Sequence, residues 1–315
     1  MRPVVPFVSS ASPDERQSWR EALPKALDGI ADVKLFEDLT EDQRSEARVA
    51  IVANPDPANV AALPNLVWVQ SLWAGVERLM GELPANGPKI VRLTDPQMAE
   101  TMSEAVLAWT LYLHRGMPRY IAQQRQKVWQ DHALERPQER TVGVLGLGKL
   151  GAAAALRMKA NGFNVLGWSR TEKSIEGIVC RHGRAGLLEV LGQSDFIVLL
   201  MPLTDETRGL LGQDELSACK KGAAIINFAR GPIIDTAALI NKLDNGPLGH
   251  AVLDVFDEEP LPPSSPLWDH DKVTVLPHIS APTIISTASR IVADNIGRYY
   301  EDGTIPPAVD RERGY

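Results

Sequence analysis

Several kinds of signal are scarce in this sequence, and each scarcity excludes something. Only two cysteines occur in 315 residues, Cys180 and Cys219, well separated and in no CxxC or metal-type spacing. Neither a disulfide scaffold nor a metal centre is expected, and the lone thiols suit a reducing cytoplasm. Basic charge is not in excess: 33 Lys and Arg stand against 40 Asp and Glu, for a net charge of -7. Such a chain has no positive field with which to attract nucleic acid, so an anionic ligand must be caught by a few well-placed arginines. No apolar run approaches the roughly 20 residues of a membrane span. The start, Met1-Arg-Pro-Val-Val-Pro-Phe-Val, is interrupted by prolines and gives no signal-peptide core. Internal repeats and low-complexity tracts are also missing.

What is present describes a soluble globular protein. The chain is 44% hydrophobic and 23% charged, and its length exceeds what one hydrophobic core normally serves, so two domains are expected. Residues 1–100 alternate short apolar runs (Val4–Val8, Val33–Phe36, Val49–Ala53, Leu66–Gln70, Ile90–Leu93) with a charged helical stretch at Asp14–Leu27, which reads as a small α/β unit. From Ser103 to Trp129, Ala105, Leu107, Ala108, Leu111 and Tyr112 recur at helical spacing, predicting two helices joined at Pro118. From Thr141 strands and helices alternate, with strands at Val142–Leu145, Asn164–Trp168, Phe196–Leu200, Ala223–Asn227, His250–Val255 and Val273–Leu276. That pattern predicts a parallel sheet covered by helices on both faces. A last helix over Ile284–Tyr300 is expected to pack away from this second sheet.

The strongest local motif is Thr141-Val-Gly-Val-Leu-Gly-Leu-Gly-Lys-Leu-Gly151, which puts Gly146, Gly148 and Gly151 in GxGxxG spacing between an apolar strand and an alanine-rich helix. Gly146 permits the tight turn, Gly148 lets the backbone approach a pyrophosphate, and Gly151 allows close helix–strand packing. Leu147, Lys149 and Leu150 complete the loop, whose helix N-terminus offers free N–H groups to anionic oxygens. The next strand, where an acidic residue normally accepts hydrogen bonds from the adenine ribose, ends instead in Ser169-Arg170-Thr171. A hydroxyl beside a guanidinium suits a 2′-phosphate that a carboxylate would repel, so NADPH is the expected cofactor, with NADH weaker. The open alternative is that Arg170 is a solvated surface residue and specificity is relaxed.

Three later segments place titratable groups where open α/β sheets bind ligands: Asn227-Phe-Ala-Arg230-Gly-Pro-Ile-Ile-Asp235, Leu253-Asp254 through Glu259-Pro-Leu261, and Pro277-His278-Ile-Ser280. Taken singly, each has a bland reading. Arg230 could pair with Asp235, Asp257 or Glu258 could stand in for Glu259, and a histidine beside a strand is often structural. As an ordered set, together with the glycine loop and Met201-Pro-Leu-Thr-Asp-Glu-Thr207, they resemble the D-2-hydroxyacid dehydrogenase family over most of residues 71–280. Trp68-Val-Gln-Ser-Leu-Trp-Ala-Gly-Val-Glu77, the Gln124–Trp129 stretch, Trp168-Ser-Arg-Thr171 and the Arg-Gly-Tyr ending resemble its glyoxylate/hydroxypyruvate reductase A branch.

That resemblance implies two Rossmann-like, doubly wound parallel-sheet domains with an interdomain cleft. Residues 1–102 and 283–315 would form the substrate domain, and residues 103–282 the NAD(P)-binding domain with its dimerisation arm, with hinges near Met102 and Ala281. It implies NADPH-dependent reduction of small 2-oxo acids, glyoxylate or hydroxypyruvate, or of a bulkier acid such as phenylpyruvate or 2-ketogluconate. A non-enzymatic NAD(P)-binding regulator is the rival from another class. Arg230 would hold the substrate carboxylate and keto oxygen, His278 would protonate the carbonyl oxygen, and Glu259 would orient His278. Backbone N–H groups of Ala74 and Gly75 would complete the carboxylate cradle. Asp254 matches the nicotinamide carboxamide position, Thr207 a pyrophosphate contact, Pro202 a further cofactor contact, and Phe228-Ala229 the nicotinamide pocket. Trp73 either caps the substrate or packs at a domain edge, with the same alternatives for Trp268 and Tyr315. Tyr120 and Trp129 are expected at a homodimer interface. Ala281-Pro282 departs from the glycine-rich continuation common in the family, which puts the pocket rim in question.

Overall fold

Short runs rich in valine, isoleucine and leucine form twelve strands in two sheets, seen in a computed structural model that describes residues 2–311. Tyr315 and the Arg-Gly-Tyr ending therefore lie outside the described residues. The chain divides into two compact units. One runs to Gln97 and resumes at Thr283; the other is Met98–Pro282.

In the first unit, β1 (Val4–Ser9), β2 (Asp32–Leu35), β3 (Val49–Ala53), β4 (Trp68–Ser71) and β5 (Lys89–Val91) form an all-parallel sheet in the order β2-β1-β3-β4-β5. All five residues of β3 are buried, as expected for a central parallel strand covered on both faces. One face carries the helix Pro13–Ala26, begun by Pro13 and by Ser12, whose hydroxyl accepts from the Glu15 N–H. Its Trp19 and Leu23 share a core with Ala288, Val292 and Ile296 of the helix Ile285–Asp302. The C-terminal helix thus belongs to the first unit. Each large side chain fully buried here contributes about 1.5–3 kcal/mol.

The second unit holds β6 (Thr141–Leu145), β7 (Asn164–Ser169), β8 (Val179–His182), β9 (Phe196–Leu199), β10 (Ala224–Asn227), β11 (His250–Leu253) and β12 (Val273–Val275), all parallel, in the order β12-β11-β10-β9-β6-β7-β8. The order reverses between β6 and β9, which opens a crevice at their carboxyl ends. Strand β8 was not expected, because Val-Cys-Arg-His is a partly exposed edge strand without apolar alternation. At the opposite end of the sheet, buried Asp195 accepts from Thr141 N at 2.8 Å, Arg140 Nη1 at 2.7 Å and Lys220 Nζ at 2.7 Å. Burial alone would raise its pKa, but hydrogen bonds from Lys220, Thr141 and Arg140 hold the carboxyl below its usual range.

Two boundaries differ from expectation. The first long helix, Pro96–His114, starts before Ser103, so Met102 is buried in its interior. The second helix, Met117–Gln126, begins after Gly116 in the left-handed conformation (φ 66°). Pro118 sits in its first turn, where a missing N–H costs nothing, so Gly116 makes the joint.

Candidate active site

Every residue type in the glycine turn after β6 has a local reason. Gly146 has φ 102°, and a Cβ there would stand 2.7 Å from Met201 N, so the turn packs directly against the backbone that leaves β9. A Cβ on Gly151 would lie 1.7 Å from the Gly146 carbonyl oxygen, so the helix Lys149–Ala160 can close on the turn only without a side chain. At Gly148 nothing lies within 4 Å of the same position. That open space leaves the first-turn N–H groups accessible to a phosphate, and a dinucleotide pyrophosphate fits the residues present. Leu147 is buried and packs on Gly167 of β7, Lys149 is exposed, and Leu150 is half-buried.

On either side of this turn lie the other expected cofactor contacts. In the loop after β9, Thr207 Oγ1 donates to Pro202 O at 2.8 Å and accepts from Thr204 N at 2.8 Å, so Pro202 and Thr207 are locked into one turn. At the end of β7, Ser169 is buried and its hydroxyl donates to Thr171 O at 2.8 Å. The donor role expected of Ser169 toward a phosphate is therefore taken up inside the turn, and Arg170 is the exposed cation beside it. Its guanidinium is hydrogen-bonded to Glu206.

The catalytic candidates Arg230, Glu259 and His278 all follow strands of the second sheet and converge within the second unit. His278 Nδ1 lies 2.7 Å from Glu259 Oε2, while Glu259 Oε1 accepts from Phe256 N at 2.9 Å. The carboxylate accepts, so the ring proton sits on Nδ1 and Nε2 faces outward. The hydrogen bond to Glu259 raises the His278 pKa; partial burial and the charge of Arg230 oppose the rise, and the charges of Glu259 and Asp254 add to it. Burial would raise the Glu259 carboxyl, but hydrogen bonds from His278 and the Phe256 N–H, with the charges of His278 and Arg230, bring it below the ordinary value. The result is a hydrogen-bonded pair in which each partner favours the charged form of the other, with the His278 side chain about half exposed (53%).

The neighbouring acids have partners of their own. Asp235 caps the helix Thr236–Asn245 by accepting from Ala238 N at 2.9 Å, and Asp257 accepts from Thr236 Oγ1 at 3.2 Å. Arg230 Nη1 donates to Ala229 O at 2.6 Å, and Asn227 holds the same loop through Arg230 O and Ala229 N at 3.0 and 3.1 Å. A Cβ on Gly231 would stand 2.0 Å from the carbonyl carbon of Phe256, so the arginine and glutamate loops touch backbone to backbone.

Two features were not foreseen. Asp254 is buried, and its two oxygens accept from Ile279 N at 2.7 Å and Ser280 N at 2.9 Å. It thereby holds the backbone that follows His278, whose φ of 55° is uncommon for a residue with a side chain. Phe228 and Ala229 are core residues on opposite faces of the sheet, each 4% exposed. The positive φ of His278 is invisible in sequence patterns.

In the first unit, Ala74 and Gly75 are half-buried in the loop after β4. Trp73 packs edge-on against Trp19 at 6.4 Å, half-buried against that unit's core. Trp268 is half-exposed, with its indole N–H donating to Pro262 O at 3.0 Å.

Two sheets of this order, a glycine turn at the reversal point and an Arg–Glu–His set at the strand ends define an NAD(P)-linked oxidoreductase of the two-domain kind. Residues 107–280 match the family model for the NAD binding domain of D-isomer specific 2-hydroxyacid dehydrogenases. A D-isomer specific 2-hydroxyacid dehydrogenase from Xanthobacter autotrophicus, solved with NADPH and MES, is 40% identical over 100% of both chains, with a TM-score of 0.90. The NADPH-dependent glyoxylate/hydroxypyruvate reductase of Sinorhizobium meliloti, solved with NADP and sulfate, is 32% identical over 100% of both chains, with a TM-score of 0.89. A probable 2-hydroxyacid dehydrogenase from Rhizobium etli, solved with NADP, HEPES and L(+)-tartaric acid, is likewise 32% identical over 100% of both chains, with a TM-score of 0.89. The chain belongs to the D-isomer specific 2-hydroxyacid dehydrogenase family.

Proposed function

We propose that this enzyme uses NADPH to reduce small 2-oxo acids, glyoxylate and hydroxypyruvate, to the corresponding 2-hydroxy acids, with the D configuration where carbon 2 is stereogenic. The observation that carries the reading is the His278–Glu259 pair, 2.7 Å apart, under the positive charge of Arg230. The hydrogen bond to Glu259 raises the His278 pKa and so favours the protonated form, from which the ring can deliver a proton from Nε2 to the carbonyl oxygen. Arg230 binds the planar carboxylate and keto oxygen through its guanidinium fork, and the N–H groups of Ala74 and Gly75 complete the carboxylate's partners. Gly146–Gly151, with Thr207 and Pro202, bind the dinucleotide, Asp254 orients the nicotinamide carboxamide, and Arg170 binds the 2′-phosphate. When bound, the reduced nicotinamide supplies the hydride to carbon 2. The relatives solved with NADPH or NADP support this choice of cofactor, and the Sinorhizobium enzyme supports the substrate class.

The domain division of this reading assigns residues 1–102 and 283–315 to substrate and residues 103–282 to cofactor. The enzyme works as a homodimer through the arm that follows Pro118. There Trp129 is fully exposed, Val128 is 45% and Leu134 66% exposed, and the Tyr120 ring lies tilted against His132 with centroids 5.6 Å apart. It works in the cytoplasm, where the free thiols Cys180 and Cys219 suit a reducing milieu.

A panel of glyoxylate, hydroxypyruvate, phenylpyruvate and 2-ketogluconate with each reduced cofactor tests the reading. The two small acids with NADPH are expected to give the highest kcat/KM. Preference for a bulky acid overturns the substrate, and a lack of turnover on all four favours a regulator. Light scattering tests the dimer, and a clean monomer refutes it.

A further inference from the structure

Strand β6 lies between β9 and β7 in the second sheet. Glu206 belongs to the loop after β9, and Arg170 directly follows β7. Their hydrogen-bonded ion pair therefore spans the carboxyl end of β6, where the glycine turn begins. Both side chains are solvent-accessible, 45% for Arg170 and 62% for Glu206, so the pair can open without dismantling the core. Ser169 has spent its proton on Thr171 O, which leaves Arg170 as the charged group at this strand end.

We propose that Glu206 sets how strongly this site prefers a 2′-phosphorylated cofactor, by competing with the phosphate for Arg170. This rests on the reading in which Arg170 binds the 2′-phosphate. The acidic residue that ordinarily ends the second strand of a dinucleotide-binding domain is replaced here by Ser169. Glu206 brings a carboxylate back to the same place from a different loop. An arriving 2′-phosphate must take the guanidinium from Glu206 and then stand beside the displaced carboxylate, which repels it. A cofactor with a free 2′-hydroxyl makes neither demand and leaves the pair closed. Glu206 thus weakens binding of the phosphorylated form selectively and tempers the preference that Arg170 creates. Because the pair is exposed, its grip is that of a surface ion pair and weakens as salt rises.

The test is calorimetric titration of the full chain with adenosine 2′,5′-bisphosphate and with 5′-AMP, using the parent, Arg170→Ala, Glu206→Gln and the double variant. Glu206→Gln is expected to tighten the bisphosphate by about two- to fivefold, the range of an exposed ion pair, with a much smaller change for 5′-AMP. The gain should shrink when Arg170 is already alanine, because only the relief of repulsion is then left. If Arg170→Ala weakens the bisphosphate selectively but Glu206→Gln leaves it unchanged or weaker, the role of Glu206 is overturned while the cofactor reading stands. If Arg170→Ala affects both ligands equally, the cofactor reading fails and this role fails with it.

Discussion

Replacing Glu259 by glutamine removes a charge while keeping a hydrogen-bond acceptor, and this separates two things the carboxylate does for His278. In the parent, Oε2 accepts from Nδ1 at 2.7 Å and Oε1 accepts from Phe256 N at 2.9 Å. A glutamine oxygen can still accept from Nδ1, so the tautomer persists, but the amide NH2 then faces the Phe256 N–H, which loses its acceptor, and the imidazolium loses its counter-charge. A hydrogen bond between charged partners exceeds a neutral one by about 1–1.5 kcal/mol, and solvent at the half-open ring reduces that. The His278 pKa falls accordingly. Reduction needs the protonated form, so kcat/KM declines at a lower pH than in the parent. On the alkaline side of both limbs the variant should be about five- to tenfold slower; on the acid side the two should converge. Glu259→Ala loses orientation as well and should be slower at every pH, approaching the roughly 10²–10⁴-fold loss of a missing general acid. The assay is the initial rate of nicotinamide absorbance loss with glyoxylate at saturating NADPH across a pH series. Superimposable profiles for parent and Glu259→Gln would refute the reasoning.

The same pair links stability to pH. His278 has a raised pKa, so its contribution is complete below its ordinary value and lost as pH rises through the raised one. Glu259 has a lowered pKa, so its contribution is present above the ordinary value and lost as pH falls through the lowered one. Denaturant midpoints of the parent should exceed those of a His278→Ala, Glu259→Ala double variant most between the two ordinary values, and a pH-independent difference contradicts this. Gly151→Ala drives a methyl into the Gly146 carbonyl oxygen at 1.7 Å; it should cost about 1–3 kcal/mol and weaken NADPH binding beyond what the fall in Tm explains, and unchanged titrations would count against the closed turn. Asp195→Asn takes a buried charge from Arg140 and Lys220; a loss of about 3 kcal/mol, or roughly 6–12 °C in Tm, is expected by calorimetry, and a change under 2 °C, about the shift from 0.5 kcal/mol, denies Asp195 that role. Cys219, whose thiol burial pushes up to about 12, should resist alkylation at neutral pH until the chain is unfolded, whereas Cys180 is only half-buried; peptide mass mapping that finds Cys219 labelled in the native protein contradicts that burial.

The sequence by itself determined the alternation of strands and helices in both halves, because parallel strands buried on both faces must be short continuous apolar runs, as in Val49–Ala53 and Phe196–Leu199. It also determined the glycine turn, where the positive φ of Gly146 and the contact of Gly151 with the Gly146 carbonyl are local demands that favour glycine. It named Arg230, Glu259 and His278, yet only as an ordered set with family context. Tertiary structure decided which acid serves the histidine: Glu259 reaches His278 while Asp257 turns to Thr236, although sequence neighbours look alike. It decided that Asp254 holds the Ile279 and Ser280 N–H groups, and that Ser169 turns inward while Arg170 meets Glu206. Those choices lie between residues 19 to 36 positions apart in most cases, and partners so distant are set by the order of strands in the sheet, which no local pattern records. Strand β8 shows the same limit in reverse, since an exposed edge strand takes its conformation from its neighbour β7 and needs little apolar signal of its own.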